Sequence, residues 1–596
     1  MSDTSTAISS LLMSNSEFIL IGLTGRTGSG CTTTAKLLGT KILTFPESNL
    51  VENIYSGLNS IRYKIIKNYT KNHWIDFDVI TISNLLTLYA LKTGKDNFIG
   101  FVKQIISSDK KPTLQNSNFE QISQIFSDCR NDINFKQDFL KLLERDCQEN
   151  YRTIKIEHNE FFKILKEYSI KFKESLNKIN NGLYIKVYQE IGNSIRKIGK
   201  IDGAYADKEL DTENIFIIPE LINTLVKIIK LNNNAENKLT RIAIDTLRNP
   251  YEVKFFRDRY SAFHLISINT NDEDRQAYLR KHRQFSDSEI DDIDKKESGK
   301  LIKSTTDDYH YFTSQNVKKC IELSDIHFYN PKHEPDNNNA LKSQIAWYIG
   351  LMLHPGLITP TTMERTMQIA YAAKLNSGCI SRQVGAVVLD SENSIKSVGW
   401  NDVPKGQLPC SLRSLDGLEN DFQKKKYSPF ERNNTDFREK AKHLFEIFSS
   451  EEYDGAMKGL NKSYCFKDIK NISSEKKENN QVHTRSLHAE ENAFLQISKY
   501  GGTGVQHGSL YTTASPCELC AKKAYQLGIK EIVFIDPYPG IAKEHILESG
   551  ENPPKLTQFR GAIGRAYHKL YEPIMPYKDE LIYSTCGKAE YEKKIN

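Results

Sequence analysis

The 596-residue chain has no apolar run approaching the ~20 residues that a membrane-spanning helix needs; Phe18 to Leu23 is only a strand's length. Met1 to Ser16 lacks the basic segment that opens a secretory signal, so the expectation is a cytoplasmic protein with no membrane partner. Cysteine is sparse, with 10 in 596 residues, unevenly spaced and including one Cys-x-x-Cys pair. That pattern argues against a disulfide framework and suits a reducing compartment. Cys31, Cys129, Cys147, Cys320, Cys379, Cys410, Cys465 and Cys586 are therefore expected as free thiols. The excess of one sign of charge is also small: a net charge of +6, thinly spread, fits small anions as readily as nucleic acid. Proline is absent between Pro112 and Pro219. There Phe135, Phe139, Leu142 and Leu143, then Phe161, Ile164, Leu165 and Tyr168, recur at helical spacing, which predicts a helical insertion over about 95–210 whose apolar stripe is core.

A further absence lies in a motif. Glu17 to Leu23 reads as a buried strand and runs into Thr24-Gly25-Arg26-Thr27-Gly28-Ser29-Gly30-Cys31-Thr32-Thr33. A glycine-rich turn between a strand and a helix can cradle phosphates on its backbone N–H groups. Gly25 and Gly30 fit the Walker A frame, with Gly28 and Ser29 between them, and Thr32 stands at the magnesium-binding hydroxyl position, followed by Thr33. The lysine is missing, and Cys31 occupies its place. The loop reads as a nucleotide site without phosphotransfer chemistry, with a Mg2+-nucleotide as its expected ligand; a turn that binds nothing is the alternative. Arg241 to Asp245 reads as a second strand ending in an acid, as a Walker B aspartate would, and Ser261 to Ile268 as a third. Arg275 and Arg280 follow on a helix, where solvated arginines are expected rather than phosphate ligands. This pattern resembles, weakly, the nucleotide-kinase branch of P-loop proteins. A chain of this length should hold more than one domain. Ser286 to Lys300 is dense in mixed charge, and Lys332 to Asn339 reads as a linker, which puts the first domain at 1–340.

Beyond the linker, Thr362 to Leu375 reads as a helix. Val384 to Leu389 and Ile395 to Trp400 form a hairpin across Asp390-Ser391-Glu392-Asn393. A polar insertion follows Asn401, and its charge runs at 424–426 and 475–480 read as solvated loops. Strand 508–513, helix 517–527 and strand 531–536 then alternate as in an α/β sheet covered by helices. His488-Ala489-Glu490 and Pro516-Cys517-Glu518-Leu519-Cys520 carry the chemistry. One imidazole and two thiols make three zinc ligands, His488, Cys517 and Cys520, and three-ligand zinc keeps an open fourth position, as catalytic sites do. Cys517 and Cys520 fall three apart in the first turn of a helix, so both sulfurs face one way, at the helix end that favours thiolate. Glu490 hangs beside the metal without ligating it and can move protons. His-x-Glu followed by Pro-Cys-x-x-Cys is the signature of zinc-dependent nucleobase deaminases.

Ser381-Arg382-Gln383-Val384-Gly385-Ala386-Val387, Gly399-Trp400-Asn401, the two zinc motifs and Gly528-Ile529-Lys530-Glu531-Ile532-Val533 resemble, in order and spacing, the deoxycytidylate deaminase family over about 360–545. The resemblance implies a cytidine-deaminase-like α/β/α domain over 341–596, one catalytic Zn2+ per chain and a homo-oligomer. It also implies hydrolytic deamination of dCMP or dCTP, in which Glu490 protonates N3 and later the departing amine. Asn401 would hold the nucleoside end, Ser381 and Arg382 would lie near the phosphate, and the backbone at Gly385 and Ala386 would line the pyrimidine pocket. A lysine-less P-loop domain joined to such a domain resembles the bacterial anti-phage deoxycytidylate deaminases, which deplete dCTP. The first domain would then hold the enzyme in check through a regulatory nucleotide or inhibitor. Two alternatives stand beside this: a deaminase acting within RNA or single-stranded DNA, and a nucleotide-sensing regulator without turnover. Cys379, Cys410, Cys465 and His483 are expected to be plain thiols and a surface histidine rather than a second metal site.

Overall fold

The computed structural model describes residues 3–108, 119–132, 135, 138–153, 156–299, 308–332, 337–420, 426–472, 483–501, 504–536, 542–585 and 587–595. Cys586, Lys300, the charge run at 475–480, positions 424 and 425, and 333–336 of the expected linker lie outside the described residues. The chain is mixed α/β and divides into two compact units, Met1–Pro360 with Arg565–Asn596, and Thr361–Gly564. Among the described residues no helix is long and apolar enough to cross a membrane.

In the first unit, β1 (Phe18–Thr24), β2 (Asp78–Thr81), β3 (Thr240–Asp245), β4 (Phe263–Asn269) and β5 (Ile326–Tyr329) pair in parallel in the order β2-β3-β1-β4-β5. β3 and β4 are buried along their whole length, as parallel strands covered on both faces must be. Gly22 in β1 has to be small, because a Cβ there would stand 2.7 Å from Leu247 and 2.8 Å from Phe263. From β1 the chain goes first to one side of the sheet and then to the other, so the crevice beyond the carboxyl end of β1 is a topological switch point, where ligands of open α/β sheets bind. Helices Lys95–Ser108, Glu120–Asn131, His158–Ile179 and Leu183–Ile198 lie within the proline-free region and its approach, and their apolar stripes join the core of the sheet.

The boundary expected near residue 340 falls instead after Pro360. Helix Asn339–Leu353 is buried nearly all round and packs on helix Leu58–Asn72: Thr70 Oγ1 donates to the Ala346 carbonyl at 2.7 Å, and Tyr55 stacks on Trp347 with centroids 4.4 Å apart. The last residues also return to this unit rather than staying with the second. The Gly356 N–H donates to the Leu570 carbonyl at 2.9 Å, and His354 Nε2 lies 2.6 Å from Glu580. Arg275 is fully buried, not solvated; it is paired with Asp294 at 2.5 Å and donates to the Thr27 carbonyl. Arg280 is exposed and pairs with Asp287.

In the second unit, β6 (Gly385–Leu389), β7 (Ile395–Trp400), β8 (Ser509–Thr512), β9 (Glu531–Phe534) and β10 (Lys555–Gln558) form a sheet ordered β10-β9-β8-β6-β7. Alternation along β6 sorts two cores. Val387 and Leu389 pack with Met367 and Ala370 of helix Thr362–Ala373. Ala386 and Val388 pack with Ala489 and Ala493 of helix Ala489–Tyr500 and with Ala521 and Ala524 of helix Glu518–Gln526. The result is a helix–sheet–helix sandwich.

Apart from its charge runs, the insertion after Asn401 carries a core of its own. Helices Leu415–Asn420, Pro429–Asn433, Thr435–Ser449 and Phe466–Ile472 enclose a core of Leu415, Leu418, Tyr427, Phe437, Ala441, Tyr464 and Ile469. Its polar centre is buried Glu431, which accepts from Arg413, from Arg485 at 3.0 Å and from the Tyr464 hydroxyl at 2.8 Å. Burial alone would raise this carboxyl; Arg413 and the Ser428 donors more than offset that and hold it below the usual carboxylate range. Because the folded value is depressed, the stabilisation is present above the unfolded carboxylate value of about 4.3 and is lost as pH falls through the folded one. Glu431→Gln should therefore destabilise the protein by about 3–5 kcal/mol near pH 7, because it strands Arg413 and Arg485. Denaturant unfolding checks this, and the gap from the wild type should shrink as pH drops below about 4.

Candidate metal centre and active site

The hairpin positions the first half of the site. Gly399 permits close approach of helix Ala489–Tyr500, since a Cβ there would lie 2.3 Å from the Ala489 carbonyl and 2.5 Å from the Ala493 nitrogen. Asn492 and Gln496 of that helix donate to the Trp400 and Val398 carbonyls of β7 at 3.0 and 2.9 Å. The Leu487 N–H donates to the Asp402 carbonyl at 2.8 Å, so the residue before His488 is fixed as well. His488 is the N-cap of this helix, and Glu490 lies in its first turn. On the other side, Cys517 caps helix Glu518–Gln526 and Cys520 lies in its first turn, as the spacing anticipates. Glu491 and Lys523 form an ion pair between the two helices.

These two helix starts bring three donors together. His488 Nδ1 lies 3.2 Å from Cys517 Sγ and 3.5 Å from Cys520 Sγ, and the three donor atoms all lie within 4.8 Å of one another. Tetrahedral zinc with Zn–S near 2.3 Å and Zn–N near 2.0 Å has ligand–ligand edges of about 3.5–3.8 Å, so the donor set fits that ion. The hydrogen bond from Cys520, followed by His488, pulls the Cys517 thiol down to about 4, and Cys520 is raised in turn by Cys517. The pair thus holds one proton between two sulfurs, and metal binding displaces such a proton. Among the described residues this is the one group of three such donors, and Cys379, Cys410 and Cys465 are free thiols.

Glu490 is buried. Burial raises its carboxyl, against the lowering by His488 and by the Thr512 hydroxyl. Thr512 Oγ1 donates to Oε1 at 3.2 Å, while Cys520 Sγ approaches Oε2 at 3.6 Å. Thr512 was not legible as a site residue, because alternation along β8 assigns it a face but no partner. It holds one carboxylate oxygen and leaves the other toward the metal ligands. Thr512→Val should lower kcat about tenfold with KM and zinc content unchanged, and Thr512→Ser should restore it; steady-state kinetics of the two variants check this.

The other expected site residues are placed as follows. Gly385 and Ala386 open β6, where Ala386 pairs with Thr512 and the Gly385 N–H donates to Thr513 Oγ1 at 3.1 Å. They therefore lie one strand from the Glu490 clasp. A Cβ on Gly385 would stand 2.0 Å from the Ala370 carbonyl. Asn401 uses its amide on the backbone: Oδ1 accepts from the Val384 N–H at 2.6 Å, and Nδ2 donates to the Arg382 carbonyl at 2.7 Å. It fixes the path of 382–384. Ser381 is exposed, and Arg382 is paired at 3.0 Å with Asp536, a buried carboxylate that the motifs did not single out.

In the first unit, Gly28 and Gly30 take left-handed φ values of 88° and 117°, which glycine accommodates. Gly25, Ser29 and Gly30 shape the loop between β1 and helix Cys31–Leu38, whose first turn holds Thr32 and Thr33. Burial pushes the Cys31 thiol up to about 12, so it is neutral and adds no charge. Asp245, at the end of β3, accepts from the Thr32 and Thr246 hydroxyls, but burial outweighs them and raises its carboxyl.

Residues 360–536 match the family model of the cytidine and deoxycytidylate deaminase zinc-binding region. The chain is 29% identical over 174 residues to the deoxycytidylate deaminase of Enterobacteria phage T2, covering 29% of this chain and 78% of that one. It is 29% identical over 175 residues to the phage T4 deoxycytidylate deaminase, covering 29% and 76%. The crystal structure of the dCMP deaminase from cyanophage S-TIM5 in apo form aligns with 34% of this chain and 99% of that one, at 18% identity and a TM-score of 0.18.

Proposed function

We propose that the second unit, which holds all but the first residue of the 360–536 match to a deaminase zinc-binding region, removes the 4-amino group of a deoxycytidine nucleotide by hydrolysis. The observation that carries this is the convergence of His488, Cys517 and Cys520 beside a buried glutamate that no cation neutralises by a direct ion pair among the described residues. Two phage relatives of that name support the choice of substrate class.

His488, Cys517 and Cys520 would hold the zinc. When bound, it supplies the Lewis acidity that makes water a competent nucleophile near neutral pH. Glu490 then does the proton work. It accepts a proton from the attacking water and passes it to N3 of the cytosine ring, then takes the remaining proton from the new C4 hydroxyl and delivers it to the 4-amino nitrogen as the C4–N bond breaks. Water and the cytosine 4-amine become a uracil 4-carbonyl and ammonia. The Thr512 hydroxyl keeps Oε1 fixed through both transfers, so the other oxygen can swing between donor and acceptor duty. Burial of Glu490 keeps water other than the reactant away from the transfer path. The backbone at Gly385 and Ala386 borders the base, and the 382–384 segment held by Asn401 carries Arg382 toward the phosphate once it leaves Asp536.

On this account the substrate is dCMP, dCTP or both, the protein works as a homo-oligomer, and the first unit is regulatory, with dCTP depletion serving anti-phage defence. The neutral, buried thiol at position 31 supports a sensing rather than a phosphotransfer role for that unit. Incubation of the purified chain with dCMP, dCTP, CTP, cytidine and single-stranded DNA and RNA tests the substrate class. Deoxyuridine nucleotides are the expected products; conversion confined to the polynucleotides would overturn it.

A further inference from the structure

Deamination leaves the glycine-rich loop of the first unit unused. It leaves the carboxyl end of β1 between β3 and β4, in the switch-point crevice. The end of β5 is tied to it: Asn330 Nδ2 donates to the Ser29 carbonyl at 2.6 Å, and Thr270 Oγ1 donates to the Ser29 and Asn330 carbonyls at 3.1 and 3.0 Å. Two residues on, Lys332 reaches back over the loop. A Cβ built on Gly30 would stand 3.5 Å from Lys332 Nζ, so the ammonium lies beside the position where a Walker lysine would begin.

The arginines around the loop are paired. Arg26 is held by Asp272 and Asp294, Arg275 by Asp294, and Arg248 by Glu297, which also accepts from the Thr27 N–H at 3.0 Å. Lys332 has no carboxylate partner among the described residues. It sits 4.5 Å from the centroid of the Tyr278 ring, and burial lowers its pKa. A desolvated ammonium without a counterion is costly, and an anion in the crevice would offset that cost. Beside the loop, the Thr32 hydroxyl bonds to the Asp245 carboxyl, and hydroxyl and carboxylate oxygens are ligands that magnesium prefers.

We propose that Lys332 supplies, from the end of β5, the phosphate-binding ammonium that position 31 lacks, so that the loop takes the phosphates of a magnesium-bound nucleoside polyphosphate. This rests on reading the first unit as a P-loop domain and is independent of the deamination chemistry. The probe is magnesium tripolyphosphate, which has no base to fill a cytosine pocket, titrated calorimetrically into the full chain. Lys332→Met should weaken binding at least about tenfold, the loss expected for one charged hydrogen-bond donor, and Cys31→Lys added to Lys332→Met should restore it to within about threefold. In the unmodified chain, tripolyphosphate should protect Lys332 from reductive methylation, read by mass spectrometry, which decides the matter if the Met variant does not fold. Unchanged affinity in Lys332→Met, or unprotected Lys332 in a chain that binds, overturns the role of Lys332 and leaves the P-loop reading standing. A wild-type chain that does not bind overturns both, and neither result touches the deaminase reading.

Discussion

Glu490→Gln should lower turnover by about a thousandfold or more while leaving the zinc content at the wild-type level. Proton transfer by a positioned acid–base group contributes roughly 10²- to 10⁴-fold, and this reaction calls on the same group for successive transfers, so the upper part of that range is expected. Glutamine has the shape of the glutamate it replaces and can still accept from Thr512 through its carbonyl oxygen, so the helix start and its three metal donors should be undisturbed. It cannot carry a proton from water to the ring. The variant thus separates loss of chemistry from loss of structure. Initial rates and elemental analysis of the same preparation check it. A variant with a tenth of the wild-type rate or more would show that another group moves the proton.

Cys517→Ala and Cys520→Ala should each lose both the metal and the activity. The two sulfurs and His488 Nδ1 form a triangle with edges of 3.2 and 3.5 Å to the imidazole, and removing a corner leaves two donors where catalytic zinc takes three. A structural cost follows as well. Zinc would clamp the starts of helices Ala489–Tyr500 and Glu518–Gln526, and anything that binds the folded chain but not the unfolded one adds to apparent stability. Chelation should therefore lower the melting temperature of the wild type and leave that of either cysteine variant unchanged. Scanning calorimetry with and without chelator measures this, beside elemental analysis. Undiminished zinc in either variant would contradict the ligand set.

The parts of this site that a sequence displays are those set by local spacing. His488 with Glu490, and Cys517 with Cys520, are two and three residues apart, and the helix starts that orient them are announced by Pro516 and by the apolar positions beyond. The hairpin of β6 and β7 was equally plain from its alternation and turn. Roles that depend on distant partners were not. Thr512 meets Glu490, and Asp536 meets Arg382, across 22 and 154 residues of chain, and no period reports such a contact. The resemblance assigns Asn401 to the nucleoside end, but no spacing announces that its side chain bonds at both ends to the backbone of 382–384. Arg275 looked solvated because a charged residue on a highly charged helix usually is, but Asp294 and the Thr27 carbonyl take it into the interior. The polar insertion hid a core because its aromatic residues are scattered among charges and meet only when its helices fold together. Helix Asn339–Leu353 is apolar all round and so has no stripe to show which unit it serves.

The most direct test of the central claim is a chromatographic assay of the purified chain with dCMP and dCTP, run beside Glu490→Gln. Appearance of dUMP or dUTP with release of ammonia in the wild type, and its near absence in the variant, is the predicted result. Equal product from both chains, or none from the wild type with zinc bound and with the isolated residues 361–564 equally inert, would contradict it.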